Sequence, residues 1–205
     1  ENKGELQLTY YNLEEKKKQS LKIFNFEKIL DFSYSDDGKK FVFSALMNGQ
    51  SDIFVYTIAS ANFEQITKDI FDDLNPRFID KSSKIIFTSN RINDTLKSGE
   101  TNKGSVSLQT DIFIYNFSSR SSVLKRVTAT PFANENNAFE CDSAKICFIS
   151  DENGIRNRCF GALDSAIAYI DTSAHYRYFT RVAPVTDYPR NILEQEVSKK
   201  SGKYG

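Results

Sequence analysis

A chain of 205 residues, 40% of them hydrophobic, can bury a substantial core, and its length is compatible with one domain. Lys plus Arg equals Asp plus Glu at 27 each, so no net field draws the chain to nucleic acid or to an anionic membrane surface. Its apolar stretches run only a few residues, far short of the roughly 20 that a spanning helix needs, so no transmembrane segment is expected.

Phe, Tyr, Val and Ile fill most apolar positions, there is no Trp, and no long stretch carries helical spacing, which predicts an all-β chain. In chain order, Leu6 to Leu13 reads as a third strand and Ser20 to Phe24 as a fourth, the end of a unit already begun. Four kinds of segment then recur. A first strand covers Ile29 to Ser33, Asn75 to Ile79 and Asn137 to Cys141, with Phe32, Phe78 and Phe139 expected in register. A polar turn follows as Asp36-Asp37-Gly38-Lys39, Asp80-Lys81-Ser82-Ser83 and Asp142-Ser143-Ala144-Lys145; Gly38 suits the positive backbone angle of such a turn, and its loss predicts looser turns later.

The second strand is Phe41 to Ala45, Ile85 to Ser89 and Ile146 to Ser150, which aligns Phe43, Phe87 and Phe148. The third opens on a phrase written twice, Gln50-Ser51-Asp52-Ile53-Phe54-Val55-Tyr56 and Gln109-Thr110-Asp111-Ile112-Phe113-Ile114-Tyr115, and its apolar run fits a strand buried on both faces. Its third copy is expected at Ser165 to Asp171, with Tyr169 matching Tyr56 and Tyr115. Fourth strands end in Gln65-Ile66-Thr67, Arg126-Val127-Thr128 and Arg181-Val182-Ala183. Repetition of one four-stranded unit predicts a β-propeller of antiparallel blades. The expected division is a half blade at 1–28, blades at 29–67, 73–128 and 134–183, the start of another at 187–193, and a polar tail or linker at 194–205. The whole is expected to be a fragment of a larger ring, with a closed four-bladed ring as the alternative.

Ser33-Tyr34-Ser35-Asp36-Asp37-Gly38-Lys39-Lys40-Phe41-Val42-Phe43-Ser44, Ser51-Asp52-Ile53-Phe54-Val55-Tyr56, Gln65-Ile66-Thr67 and Asp73-Leu74-Asn75-Pro76-Arg77-Phe78 together resemble the TolB-type, WD40-like (PD40-type) propeller repeat of bacteria. The pattern departs from it where Tyr34-Ser35 replaces Ser-Pro and Ala138 replaces the Pro of the first strand. The resemblance implies export, a periplasmic or cell-envelope setting, and a propeller that serves as a platform for binding an envelope protein, with no cofactor.

Candidate chemistry is sparse. His175 is the sole histidine, and no Gly-x-Ser-x-Gly elbow supplies a nucleophile for it, so an ordinary strand or turn role is expected. The pairs Asp36-Asp37 and Asp72-Asp73 read as turn and strand-opening residues, and Asp52 and Asp111 as ties between strands through backbone N–H groups. Cys141, Cys147 and Cys159 lack paired metal-site spacing; buried free thiols are favoured, with a Cys141–Cys147 bridge, implying an oxidising compartment, as the alternative. An insertion at Asn93 to Gln109 is expected beside Lys68 to Leu74 and Ala129 to Asn136 on one loop face, where Asp72, Asp73, Asn90, Arg91, Asn93, Asp94 and Arg156 form a mixed-charge binding surface. Three functions fit: a non-catalytic docking module of the envelope, the gating propeller of a larger serine peptidase, or a glycan-binding or sugar-processing propeller.

Overall fold

The computed structural model describes residues 7–22, 26–96, 106–142, 145–198 and 203–204. They form three four-stranded antiparallel sheets and two hairpins, with no helix among the described residues. The first hairpin pairs β1 (Gln7–Asn12) with β2 (Lys17–Lys22). The first sheet runs β3 (Lys28–Tyr34), β4 (Lys40–Met47), β5 (Gln50–Thr57), β6 (Asn62–Gln65) in spatial order. The second runs β7 (Asp73–Ile79), β8 (Lys84–Ser89), β9 (Asp111–Asn116), β10 (Lys125–Arg126). The third runs β11 (Glu135–Asp142), β12 (Lys145–Ser150), β13 (Asn157–Ile170), β14 (Ala174–Pro184), and β15 (Val197–Ser198) pairs with β16 (Lys203–Tyr204) beyond it.

Strand pleating explains the stack. Successive side chains point to opposite faces, so a strand sandwiched between two sheets is largely apolar along its whole length, with Ser44, Asp52 and Thr88 as buried polar exceptions. From β4 and β5, Phe41, Phe43, Ala45, Phe54 and Tyr56 pack back onto Phe26, and Leu8 of β1 packs against them. Val42, Ile53 and Val55 point forward onto Phe78, Ile85, Phe87, Phe113 and Tyr115 of the second sheet. From there Ile86, Ile112 and Ile114 point forward onto Ala138, Ile146, Phe148 and Cys159 of the third. Phe43, Phe87 and Phe148 therefore occupy equivalent places, each in a second strand and each packed toward the sheet before it; their partners across the ladder are Phe54, Phe113 and Cys159.

A side-chain clasp repeats with the sheets. Thr67 accepts the Ile53 N–H at 2.9 Å and donates to Asp52 at 3.2 Å; Thr128 does the same with Ile112 and Asp111 at 2.9 and 3.4 Å; Thr186 with Arg158 and Asn157, both at 2.9 Å. The tie runs through a threonine hydroxyl, where the sequence suggested that Asp52 and Asp111 take backbone N–H groups directly.

The clasp also corrects the third unit. Its third strand opens at Asn157, and its fourth segment ends at Val185-Thr186 rather than Arg181-Val182-Ala183, because Val185 N bonds Arg158 O as Ile66 N bonds Ile53 O. Tyr169 lies well past the position of Tyr56, which Gly161 occupies across from Ile146. An extended hairpin arm, in which β13 beyond Ala162 pairs with β14 alone, separates the two segments and carries the misleading tyrosine. Phe32, Phe78 and Phe139 are likewise not in register: Phe32 pairs with Phe43, whereas Phe78 pairs with Ile85 and Phe139 with Cys147. Irregularities at different points of the first-strand ladders shift the aromatic positions.

In the second turn, Asp80, Lys81 and Ser82 all have positive φ, 50°, 52° and 65°, and the Ser83 hydroxyl bonds the Asp80 carboxylate at 2.9 Å. That side-chain bond stands where the first turn has Gly38, whose φ is 67°. The blade start expected at 187–193 holds a bond of the kind that opens the third unit, and within the polar tail expected at 194–205 a short hairpin forms. Ile192 N bonds Arg156 O at 2.9 Å as Glu135 N bonds Thr110 O at 2.8 Å, and Val197 pairs with Tyr204 at the same chain spacing as Tyr34 with Phe41.

A Cys141–Cys147 disulfide joins β11 to β12 with Cα atoms 5.9 Å apart, and Cys159 is a buried free thiol, which corrects the preference for three free thiols. Cys147 lies opposite Phe139, and Cys141 sits at the ladder irregularity between Glu140 and Asp142. Cys159 pairs with Phe148 and packs on the face toward the second sheet.

Candidate functional site in the axial cleft

The innermost strands β3, β7 and β11, followed by residues 192–196, line the concave side of the stack. Two adjoining hollows lie there, about 300 Å³ and about 420 Å³, both walled by Arg77, Asn137, Gln195 and Glu196. Asn75 and Asn137 hold left-handed backbone, φ 50° and 53°, at equivalent points of β7 and β11. Asparagine tolerates that conformation better than most side chains. Arg77 crosses from the second sheet to Asp31 of the first at 2.8 Å, and Asn75 bonds the same carboxylate at 3.3 Å. Gln195 closes the far wall, accepting from Arg158 at 2.9 Å and donating to the Asn137 carbonyl at 2.8 Å. Phe32 and Tyr34 stand in the wall 55% and 49% exposed. Phe41 lies beneath both rings, at 6.5 and 6.0 Å.

The sequence placed the site elsewhere, on the loop face. Asp73 and Arg91, at 0% and 1% exposure, lie inside the molecule rather than on that face. Arg91 grips both oxygens of Asp73 at 2.8 and 2.7 Å, reaches Asp69 at 3.3 Å, bonds Ser89, and lies over Phe71, Phe87 and Phe113. A guanidinium so enclosed anchors the loops that surround it. Asp72 is exposed, accepts the Ser51 hydroxyl at 2.6 Å, and donates its N–H to Asn90 at 2.8 Å. Asp94 is exposed and paired with Arg126 at 2.9 Å, Asn93 is half-buried, and Arg156 bonds Asn136 across the neighbouring loop at 2.9 Å. Of the insertion at Asn93 to Gln109, residues 97–105 lie outside the described residues. The axial residues went unnoticed because no motif marks them; the repeated asparagines at 75 and 137 were the available signal.

Buried carboxylates sit between the sheets. Burial, reinforced by Asp73 and Asp69, pushes Asp52 up to about 7. Burial and the neighbouring Asp111 likewise push Glu135 up to about 7, and burial raises Asp111 itself. These acids face protein rather than solvent and serve the packing of the stack. Asp37 is held below the usual range by the Lys39 N–H and the Ser35 hydroxyl, a turn role. His175 stands on the arm, stacked on Tyr169 with centroids 4.3 Å apart and bonded to Asp171 at 3.1 Å. Among the described residues no three His, Cys, Asp or Glu side chains gather as a metal-holding group, and no helix is long and apolar enough to cross a membrane.

The stack of antiparallel sheets matches a known structure, TolB from Acinetobacter baumannii, at 16% identity and a TM-score of 0.54 over 86% of this chain. The chain has a TolB-like β-propeller fold. It spans about two fifths of the TolB chain, 41%. An acylaminoacyl peptidase in complex with Z-Gly-Gly-Phe-chloromethyl ketone aligns at 11% identity and a TM-score of 0.49, over 89% of this chain and 28% of that one. No protein-family model matches this TolB-like chain, and no curated protein does.

Proposed function

We propose that this TolB-like propeller is a non-catalytic docking module of the bacterial cell envelope that receives a protein partner at its axial cleft. The observation that carries the reading is the cleft itself: polar walls from three sheets and residues 193–196, with Phe32 and Tyr34 left uncovered. Exposed aromatic rings in a concave polar setting are the composition of protein-binding patches. Asp72, Asn90, Asn93, Asp94 and Arg156 form the surrounding loop surface, and Asp73 and Arg91 fix it from beneath.

Export is supported by the Cys141–Cys147 bridge, since such bonds persist in oxidising compartments. A partner other than nucleic acid is supported by the carboxylates of the cleft wall and by a chain with no net positive charge.

The test is site-specific photocrosslinking in envelope extract, with the reactive group placed at position 34, position 72 or, on the arm, position 167. The reading expects one discrete protein adduct from positions 34 and 72 and none from 167. Adducts from 167 alone would overturn it.

A further inference from the structure

We infer that a hollow at the end of the third sheet where β12 turns into β13 seats the guanidinium of an arginine side chain brought by a partner, at a site separate from the axial cleft. The hollow measures about 550 Å³, within the roughly 300–1,000 Å³ of ligand pockets. Thr130, Ser150, Glu152, Cys159, Pro184 and Asp187 line it, and no Lys or Arg stands among its described lining residues. The repeated clasp shows what this space holds one unit earlier. Asn157 and Thr186 stand where Asp111 and Thr128 stand. Cys159 and its ladder partner Pro184 therefore match Phe113 and its ladder partner Arg126. Ser150, opposite Asn157, matches Ser89, opposite Asp111, so Glu152 matches Arg91. The backbone agrees: Arg91 N and Glu152 N each donate to the serine hydroxyl two residues before, both at 3.3 Å.

In the second unit the space is filled. Arg91 grips Asp73 and reaches Asp69 at 3.3 Å, and the guanidinium groups of Arg91 and Arg126 lie over the Phe113 ring at 5.8 and 4.8 Å. In the third unit Glu152, Pro184 and Cys159 replace Arg91, Arg126 and Phe113, so two cations are lost, a carboxylate is gained, and the room those three long side chains take is left open. The acid that Arg91 grips keeps its counterpart. Glu135, in the place of Asp73, is 1% exposed, its Oε2 has no hydrogen bond, and its ladder partner Ser150 lines the hollow. Burial, then Glu152 and Glu135, raise the Cys159 thiol above its ordinary value, which sets both carboxylates near the same wall. Glu152 and Asp187 are exposed to an incoming group. A guanidinium suits them better than an ammonium, because its planar fork meets a carboxylate through two parallel bonds.

The test follows the backbone amide signals of the isotope-labelled full chain by NMR as N-acetyl-arginine methylamide, its citrulline counterpart or free arginine is added. The capped arginine should shift residues 130, 150–153, 157–159 and 184–187 saturably, and more weakly as salt rises. Capped citrulline, of the same shape without the charge, should leave them in place. Free arginine, whose own carboxylate meets Glu152 and Asp187, should bind roughly threefold more weakly than the capped form; equal or tighter binding of it overturns the assignment to a side chain. Glu152→Gln with Asp187→Asn should weaken the capped arginine roughly fivefold. Glu152→Arg, which restores the group the second unit carries, should abolish its binding. Glu14→Gln with Glu15→Gln, exposed in the β1–β2 turn, makes the same change in net charge as the first pair and should leave the affinity unchanged; thermal unfolding of each variant verifies folding. Equal shifts from capped arginine and citrulline, equal loss in both double variants, or undiminished binding by Glu152→Arg overturns the inference. Loss of the crosslink at position 34 leaves it standing, since the two sites share no residue.

Discussion

Glu135 occupies between the second and third sheets the place that Asp73 occupies between the first and second: the two pair with Ser150 and Ser89 at equivalent points of their ladders. Among the described residues no arginine grips Glu135 as Arg91 grips Asp73. Two residues beyond Ser89 stands Arg91; two beyond Ser150 stands Glu152. One interface is thus held by a buried ion pair and the next by an acid whose Oε2 is buried without a hydrogen bond.

The first interface depends on Arg91. Arg91→Ala leaves Asp73 buried and uncompensated, and stability measured by urea unfolding should fall by about 3–5 kcal/mol. Combining Arg91→Met with Asp73→Asn should cost less than the sum of the two single changes, since each single change strands the other partner's polar group.

At the second interface the pH response has a definite sign. Burial, reinforced by the neighbouring Asp111, pushes Glu135 up to about 7 in the folded chain against its ordinary 4.5, so the folded state keeps a proton that the unfolded state releases between those values. Its contribution is fully favourable below about 4.5 and is lost as pH rises through 7. Glu135→Gln should remove that slope and stabilise the chain above pH 7 by about 1–3 kcal/mol. Urea unfolding of both forms at pH 5 and pH 8 reads the difference; parallel profiles would contradict the assignment.

The third sheet is stapled. Replacing Cys141 and Cys147 together by Ser should cost about 2 kcal/mol, the entropy of the short loop they close. The thermal midpoint should fall by roughly 4–8 °C, and reductant should do the same to the native chain alone.

The arm is dispensable to the fold. Beyond Ala162 its strands pair only with each other. Joining Ala162 to its ladder partner Arg181 through an Asn-Gly turn should therefore change stability by no more than about 0.5 kcal/mol in thermal or urea unfolding.

Much of this architecture was readable in advance, for physical reasons. A strand buried on both faces has little freedom to be polar, so the apolar runs Ile53 to Tyr56 and Ile112 to Tyr115 show themselves as near copies, and Phe43, Phe87 and Phe148 align. Register of the inner strands was not readable, because the irregularities near Leu30, Asn75 and Asn137 add or remove a step without a fixed sequence mark. The third unit misled because Asn157 replaces the aspartate of the clasp and the inserted arm brings Tyr169 in its place. The cleft escaped notice because its wall is gathered from Asp31, Arg77, Asn137 and Gln195, residues far apart in the chain and unremarkable singly. Arg91 and Asp73 were picked out as functional by type; their burial makes them structural.

Hydrogen–deuterium exchange of the full chain, alone and crosslinked to its captured partner, tests the central claim most directly. The account predicts new protection at residues 30–34, 75–78 and 193–196, with the arm at 163–180 unchanged. Protection confined to the arm or to the outer strands β6, β10 and β14 would contradict it.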